Sequence, residues 1–338
     1  MNSKLVAIDL AKNVFQVCVV NQAGKVQMNK QVTRKKLLET VLQLNPDCVA
    51  MESCYSANYW GRLFNEHKIK VKLIPAQFVK PFVRSHKNDK NDAIAIAEAS
   101  NRPNVKCVPV KTISQQDIQS LHRIRQRRVN QCTATINQIR GLLSEYGIAV
   151  PQSKLKLQKQ LPLILEDPNN QLSEVARSFT AELKGELDTF IQQIKTDEKR
   201  IQFLLKDNED YQRLMSIPGF GGLVSSALIA AVGNGAQFNN GRALASWMGL
   251  TPKHHASGQK STSGGITKRG NCYLRTLLIH GARAALCRCK KRDSYLFAWA
   301  ERIAVTRGKQ KAWVALANKL ARIAWVILNK KTTFAYYQ

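Results

Sequence analysis

The sequence predicts an α/β fold over its first hundred residues and a mainly helical chain beyond, on three observations. Short β-rich apolar runs alternate with amphipathic stretches up to about residue 110. Helical spacing of apolar residues takes over from Ser114, and the charge turns strongly basic after Thr251. These set three regions: 1–110, an α/β domain; 111–208, a helical coiled-coil region; and 209–338, a mainly helical C-terminal domain.

The elements follow in order. "KLVAIDL" (4–10), "VFQVCVV" (14–20) and "KVQMNKQV" (25–32) read as strands, the last two joined by the hairpin turn "NQAG". "RKKLLETVLQL" reads as a helix, "CVAME" (48–52) as a short buried strand, "SANYWGRLFNEH" as a helix and "KVKLIPA" (70–76) as a strand. A helix over 92–100 closes the unit. Three antiparallel strands followed by α-β-α-β-α is the order of a ribonuclease-H-like fold.

From Ser114 to Tyr146, apolar Val129, Cys132, Ile136, Ile139 and Leu143 follow the seam spacing of a coiled coil. Leu183, Leu187, Phe190, Ile194 and Ile201 repeat the stripe in a second long helix over 172–206. "GIAVPQSK" and "EDPNNQ" break the chain between them. An antiparallel hairpin results, which pairs with another copy or packs on its own domain. The arginines of "HRIRQRRV" lie off the seam, where contact with nucleic acid and a solvated face are equally good accounts. Further on, "IPGFG" in 214–233 resembles a helix-hairpin-helix turn. Gly219 and Gly221 there would let backbone amides approach a phosphate, or serve close helix packing.

Composition narrows the partner. The 338 residues are 44% hydrophobic and 7% aromatic, which is globular, and 52 Lys and Arg against 23 Asp and Glu leave a net charge of +29. Such a field draws polyanions, so nucleic acid is the expected partner. From Thr251 onward, 18 Lys and Arg face only Asp293 and Glu301. Charge identifies the partner and not the reaction, since a non-catalytic architectural protein shows the same balance. The eight cysteines form no CxxC pair, which argues against a zinc ribbon and leaves Cys287 and Cys289 incidental. With no signal-peptide pattern and no long apolar run, a reducing cytoplasm is the expected compartment.

Against that basic background, "KNDKNDA" (87–93) sets Asp89 and Asp92 one helical turn apart, hemmed by Lys87 and Lys90. Capping of the following helix is one account. Two further acids each close a buried-strand run, Asp9 after "LVAI" and Glu52 after "CVAM", where an unpaired charge is costly. In a ribonuclease-H-like sheet the ends of the first and fourth strands are neighbours. Four grouped carboxylates repel one another unless a hard divalent cation neutralises them. Two Mg²⁺ ions about 4 Å apart would clamp the attacking and leaving oxygens of a phosphodiester.

The order Asp9, Glu52, Asp89, Asp92, with "MESCYSANYWGRL", "IPAQFVKPFVRSHKNDKNDA" and "GLTPKHHASGQKSTSGGITKRGNCYLRTLLIHGA", resembles the DEDD transposases of bacterial insertion sequences. More narrowly it is similar to insertion-sequence family one-ten, sub-group eleven-eleven, over nearly the whole chain. The resemblance implies a RuvC-like DEDD catalytic domain in front and a transposase domain behind. It implies an enzyme that cuts and rejoins DNA strands with Mg²⁺.

A second constellation lies at 249–275, where Ser257, Ser261 and Ser263 are mixed with five glycines and with Lys253, Lys260, Lys268, Arg269 and Arg275. A flexible basic loop along a nucleic-acid backbone is the plain reading. Beside cations and phosphate, a serine can also attack phosphorus. In the family's matching motif the serine of an "SG" pair is the nucleophile, working with the DEDD acids. By motif this is Ser257, with Ser261 and Ser263 as competitors. The resemblance further implies a non-coding guide (bridge) RNA from the element, donor and target DNA as partners, a dimer or tetramer, and a bacterial, nucleoid-associated location. The runner-up is a metal-dependent junction endonuclease that uses water and makes no covalent intermediate.

Overall fold

The structure of the protein is a computed structural model that describes residues 4–83, 88–258, 260–288 and 295–335. The chain divides into two compact units, residues 1–113 and 114–338. The expected regions 111–208 and 209–338 fall almost entirely within the second.

The first unit is built on a five-stranded sheet. Its elements are β1 (Leu5–Asp9), β2 (Val14–Val20), β3 (Val26–Thr33), α1 (Leu37–Leu44), β4 (Cys48–Glu52), α2 (Ala57–Glu66), β5 (Lys70–Ile74), α3 (Ala76–Val79) and α4 (Asp89–Ser100). The strand order is β3-β2-β1-β4-β5, with β1 antiparallel to β2 and parallel to β4. The first and fourth strands are therefore neighbours, as their sequence order predicts. β5 stops two residues short of its expected end because Pro75 opens α3.

Alternation of side chains along each strand gives the sheet two apolar faces. Val6, Ile8, Phe15, Val17, Val49 and Met51 pack on one face with Trp60 and Phe64 of α2. Ala7, Cys18, Val20, Ala50 and Ile74 form the other, covered by Ala93, Ile96 and Ala97 of α4. Alanines on both surfaces let that helix lie close to the sheet. α4 begins at Asp89, three residues before the predicted start, because Asn88 caps it by accepting the Asn91 amide at 2.8 Å. The capping role thus belongs to Asn88, and neither aspartate fills it.

The second unit comprises α5 (Ile113–Glu145), α6 (Lys154–Glu166), α7 (Glu174–Leu204), α8 (Glu209–Met215), α9 (Gly222–Val232), α10 (Gly241–Trp247), β6 (Pro252–Ser257), β7 (Lys260–Ile266), α11 (Cys272–Arg288), α12 (Tyr295–Arg307) and α13 (Lys309–Lys330). The two expected long helices are α5 and α7. The predicted breaks fall where expected, but α6 lies between them, and its Leu157 and Leu161 join Cys132, Ile136, Ile139, Leu143 and Leu187 in one core. The seam is therefore covered at least in part by the chain's own third helix. Arg177 fastens the α6–α7 turn by donating to the carbonyls of Leu165 and Asp167, each at 2.8 Å.

Two arginines of "HRIRQRRV" are committed to α7: Arg125 donates to Glu198 at 2.8 and 2.6 Å, and Arg128 to the buried Asp197 at 2.5 Å. Arg123 and Arg127 stay exposed. A separate core joins α8 to α13 through residues such as Leu214, Leu228, Leu244, Leu278, Phe297 and Leu320. Among the described residues no helix is long and apolar enough to cross a membrane, and the described cysteines are free thiols. Cys289 and Lys87 lie outside the described residues.

Candidate active site and nucleic-acid interface

Asp9 and Glu52 close β1 and β4, one residue beyond the paired Ile8 and Met51. Ile8 and Met51 belong to the α2 face, so alternation puts both carboxylates on the α4 face, at the same end of adjacent parallel strands. Both are half-buried. Asp89 and Asp92 lie in the first turn of α4, Asp89 exposed and Asp92 half-buried. That turn is tied to the same face of the sheet: Gln16 is the cross-strand partner of Asp9, its amide donates to Asn29 Oδ1 at 2.6 Å, and Asn29 Nδ2 donates to the Lys90 carbonyl at 3.1 Å.

The acids make a local negative field. The thiol of Cys54, just past Glu52, is pushed up to about 11, first by burial and then by Glu52 and Asp9. Hard carboxylate oxygens on neighbouring strand ends fit a Mg²⁺-like ion, which commonly takes one or two carboxylates and completes its shell with water and substrate phosphate. Among the described residues no group of three or more His, Cys, Asp or Glu side chains is close enough to hold one ion. The structure therefore pairs Asp9 with Glu52 and sets the Asp89/Asp92 turn on the same face, without drawing all four onto one point.

The serine motif folds into a β-hairpin. β6 and β7 pair antiparallel, with Ser257 opposite Lys260 at the tip. Gly258 takes φ +57° with open space around it, as a tight hairpin turn requires. Ser257, Ser261 and Ser263 are all exposed. They differ in partners: the His254 ring meets Ser261 Oγ at 3.1 Å and Ser263 Oγ at 3.4 Å. A two-stranded ribbon exposed along all of β6 is marginal in water by itself and suits a surface that lies along another molecule.

The cations around the hairpin separate into two kinds. Lys253, Lys268 and Arg269 are exposed; the side chain of Lys260 lies outside the described residues. Arg275, expected as a phosphate contact, is only 8% exposed, and its Nη1 donates to the Met248 carbonyl at 3.0 Å. Its guanidinium braces the turn before the hairpin. In the "IPGFG" turn, Gly219 has φ +87° and a Cβ there would stand 2.5 Å from the Gly281 carbonyl oxygen, so close packing on α11 accounts for it. Gly221 caps α9 and is exposed, with open space where a Cβ would stand.

A buried polar cluster went unread in the sequence. His122 of α5, 3% exposed, has Nδ1 2.9 Å from the Tyr273 hydroxyl and Nε2 3.0 Å from Ser226 Oγ. The Ser226 hydroxyl donates to the Gly222 carbonyl at 2.5 Å, so Nε2 carries the proton and Nδ1 accepts from Tyr273. Burial, and then the Arg125 charge, lowers the His122 pKa to about 4. One histidine among 33 mostly polar helical residues carries no pattern that marks it as buried.

In sequence, the sheet with its paired strand-end acids is followed by a helical unit bearing an exposed serine hairpin, in a chain of net charge +29. Residues 6–148 match a family model for DEDD transposases of the IS110 type, described as "Transposase", and residues 211–297 match "Transposase IS116/IS110/IS902 family". The chain is 43% identical to the transposase for insertion sequence element IS1111A of Coxiella burnetii, over 98% of this chain and 91% of that protein. It is 40% identical to a probable family 20 transposase of Pseudomonas aeruginosa, and 35% identical to the transposase for IS1328 of Yersinia enterocolitica, each over 99% of both chains. The chain belongs to the IS110 family of insertion-sequence transposases. Its enzymatic class is DNA transposase or recombinase, and the DEDD family implies dependence on a divalent metal ion.

Proposed function

We propose that the protein is an RNA-guided DNA recombinase in which Asp9, Glu52, Asp89 and Asp92 hold Mg²⁺, two ions per site, and Ser257 is the nucleophile. The observation that carries the reading is the placement of Asp9 and Glu52 at adjacent parallel strand ends on the face that α4 covers. That arrangement supports the reading of a ribonuclease-H-like, RuvC-like nuclease domain. When bound, the cation would offset charge on the phosphoryl oxygens.

Ser257 does the covalent chemistry. Its Oγ bonds to phosphorus, the bond from phosphorus to the departing strand's oxygen breaks, and the hydroxyl proton passes to a base. A strand hydroxyl then reverses the step, releases the serine and joins a new strand. Exposure at the hairpin tip lets Ser257 reach a backbone, whereas Ser261 and Ser263 share the His254 ring. Lys253, Lys260, Lys268 and Arg269 and the α9 N-terminus at Gly221 would line the phosphates.

Guidance by the element's own RNA rests on the family resemblance, and the net charge of +29 suits backbone and shape contacts that leave sequence reading to base pairing. Strand exchange between two duplexes calls for more than one active site, so a dimer or tetramer joined through the α5–α7 helices belongs to the same reading, as does a cytoplasmic, nucleoid-associated location. The deciding experiment is Ser257→Ala on a substrate carrying the element's ends. Loss of the protein–DNA adduct on a denaturing gel, with Ser261→Ala still forming it, is the expected result. Strand cleavage by Ser257→Ala at the wild-type rate would transfer the reaction to water, as in a junction endonuclease.

A further inference from the structure

We infer that Gln16 and Asn29 are positioning residues that seat the Asp89/Asp92 turn beside Asp9 and Glu52 and complete the surroundings of the cation. This rests on the reading of the acids as cation ligands and extends it to two residues that carry no charge.

Gln16 is out of place by composition. It interrupts the apolar run of β2 and is 2% exposed. Burying an amide costs free energy unless its groups are bonded. One of its polar atoms is accounted for, since Nε2 donates to Asn29 Oδ1 at 2.6 Å. The other, Oε1, is buried with no hydrogen-bond partner among the described residues. A purely structural position would be served better by a residue such as Val, which has a high strand preference and leaves no orphan acceptor.

Location resolves the misfit. Gln16 lies directly across from Asp9 on β1, and directly paired residues share a face. Gln16 therefore shares the α4 face with Asp9, and water bound to a cation on that face is the donor that would satisfy its orphan oxygen. Asn29 performs the second half. Its register partner is Cys18, on the α4 face, and its Nδ2 donates to the Lys90 carbonyl at 3.1 Å. Lys90 stands between Asp89 and Asp92. One relay of two amides thus runs from the cross-strand partner of Asp9 to the backbone that carries the other two acids. Residues that orient ligands in this way typically change metal affinity by about 10–100-fold when removed.

The test is Mn²⁺ binding to the full-length protein, followed by the electron paramagnetic resonance signal of the free ion, for wild type, Asp9→Asn, Asn29→Ala and Gln16→Met. Melting temperatures are taken in parallel without any divalent ion. Expected are loss of binding in Asp9→Asn and about tenfold weaker binding in Asn29→Ala and Gln16→Met, with cation-free melting kept. Gln16→Met removes the orphan oxygen at similar volume, so it carries the test if Asn29→Ala fails to fold. Wild-type affinity in both amide variants, with binding lost in Asp9→Asn, overturns the positioning role and leaves the cation site standing. No Mn²⁺ binding by the wild-type protein overturns both.

Discussion

At the residue scale, small substitutions of role decide what the acids can do. Asn88 accepts the Asn91 amide and so takes the cap of α4. Asp89 and Asp92 are then left within the first turn, where the helix dipole favours negative charge without tying up the carboxylates. His122 shows the opposite economy, a titratable group held neutral by its surroundings. Its folded pKa is depressed to about 4 from 6.5, so between those values the unfolded chain binds a proton that the folded one refuses. Stability is complete above about pH 6.5 and falls as pH drops towards 4, by roughly 3 kcal/mol at most. Melting temperature measured across that range would show the decline, and His122→Asn would flatten part of it.

At the element scale, glycine geometry fixes how the C-terminal helices meet. Gly219 and Gly281 place their backbones in mutual contact, and a Cβ on either would approach the other's carbonyl oxygen within 2.5 Å. Gly219→Ala should cost about 2–4 kcal/mol, from the left-handed backbone and from overpacking together. A thermal or denaturant melt checks this; an unchanged midpoint would mean that the turn can move off α11. Much at this scale was legible in the sequence. The five strands fall within a residue or two of their apolar runs, because burial of alternate residues leaves a short-range signature. The acids at strand ends were legible for the same reason. α6 was not, since Pro162 and a lysine-rich first half obscure its apolar stripe. Arg275 looked like one more cation of a basic loop, and only tertiary contact reveals its bond to the Met248 carbonyl. The Gln16–Asn29–Lys90 relay spans β2, β3 and α4, and such long-range pairing leaves no mark on local spacing.

At the scale of the whole molecule, charge governs the encounter with nucleic acid. With a net charge of +29, DNA affinity should fall steeply with salt, by about a thousandfold or more between 50 and 200 mM if six or more phosphates are contacted. Lys253→Ala, Lys268→Ala and Arg269→Ala should each weaken binding and lower the salt slope by about one, irrespective of DNA sequence. Arg275→Ala should instead lower the melting temperature, as loss of a buried, bonded guanidinium does. Equilibrium titrations at several salt concentrations separate the two classes.

The central proposal is that Asp9, Glu52 and the 89/92 pair, on one face of the sheet, hold divalent cations. The most direct measurement replaces Mg²⁺ with Fe²⁺ and lets ascorbate and peroxide generate radicals at the bound ion, so that the polypeptide is cut where the metal sits. Fragments ending near residues 9, 52 and 89–92, lost in Asp9→Asn and suppressed by excess Mg²⁺, are the predicted result. Cuts confined to other segments, or a pattern indifferent to Asp9 and to Mg²⁺, would contradict it.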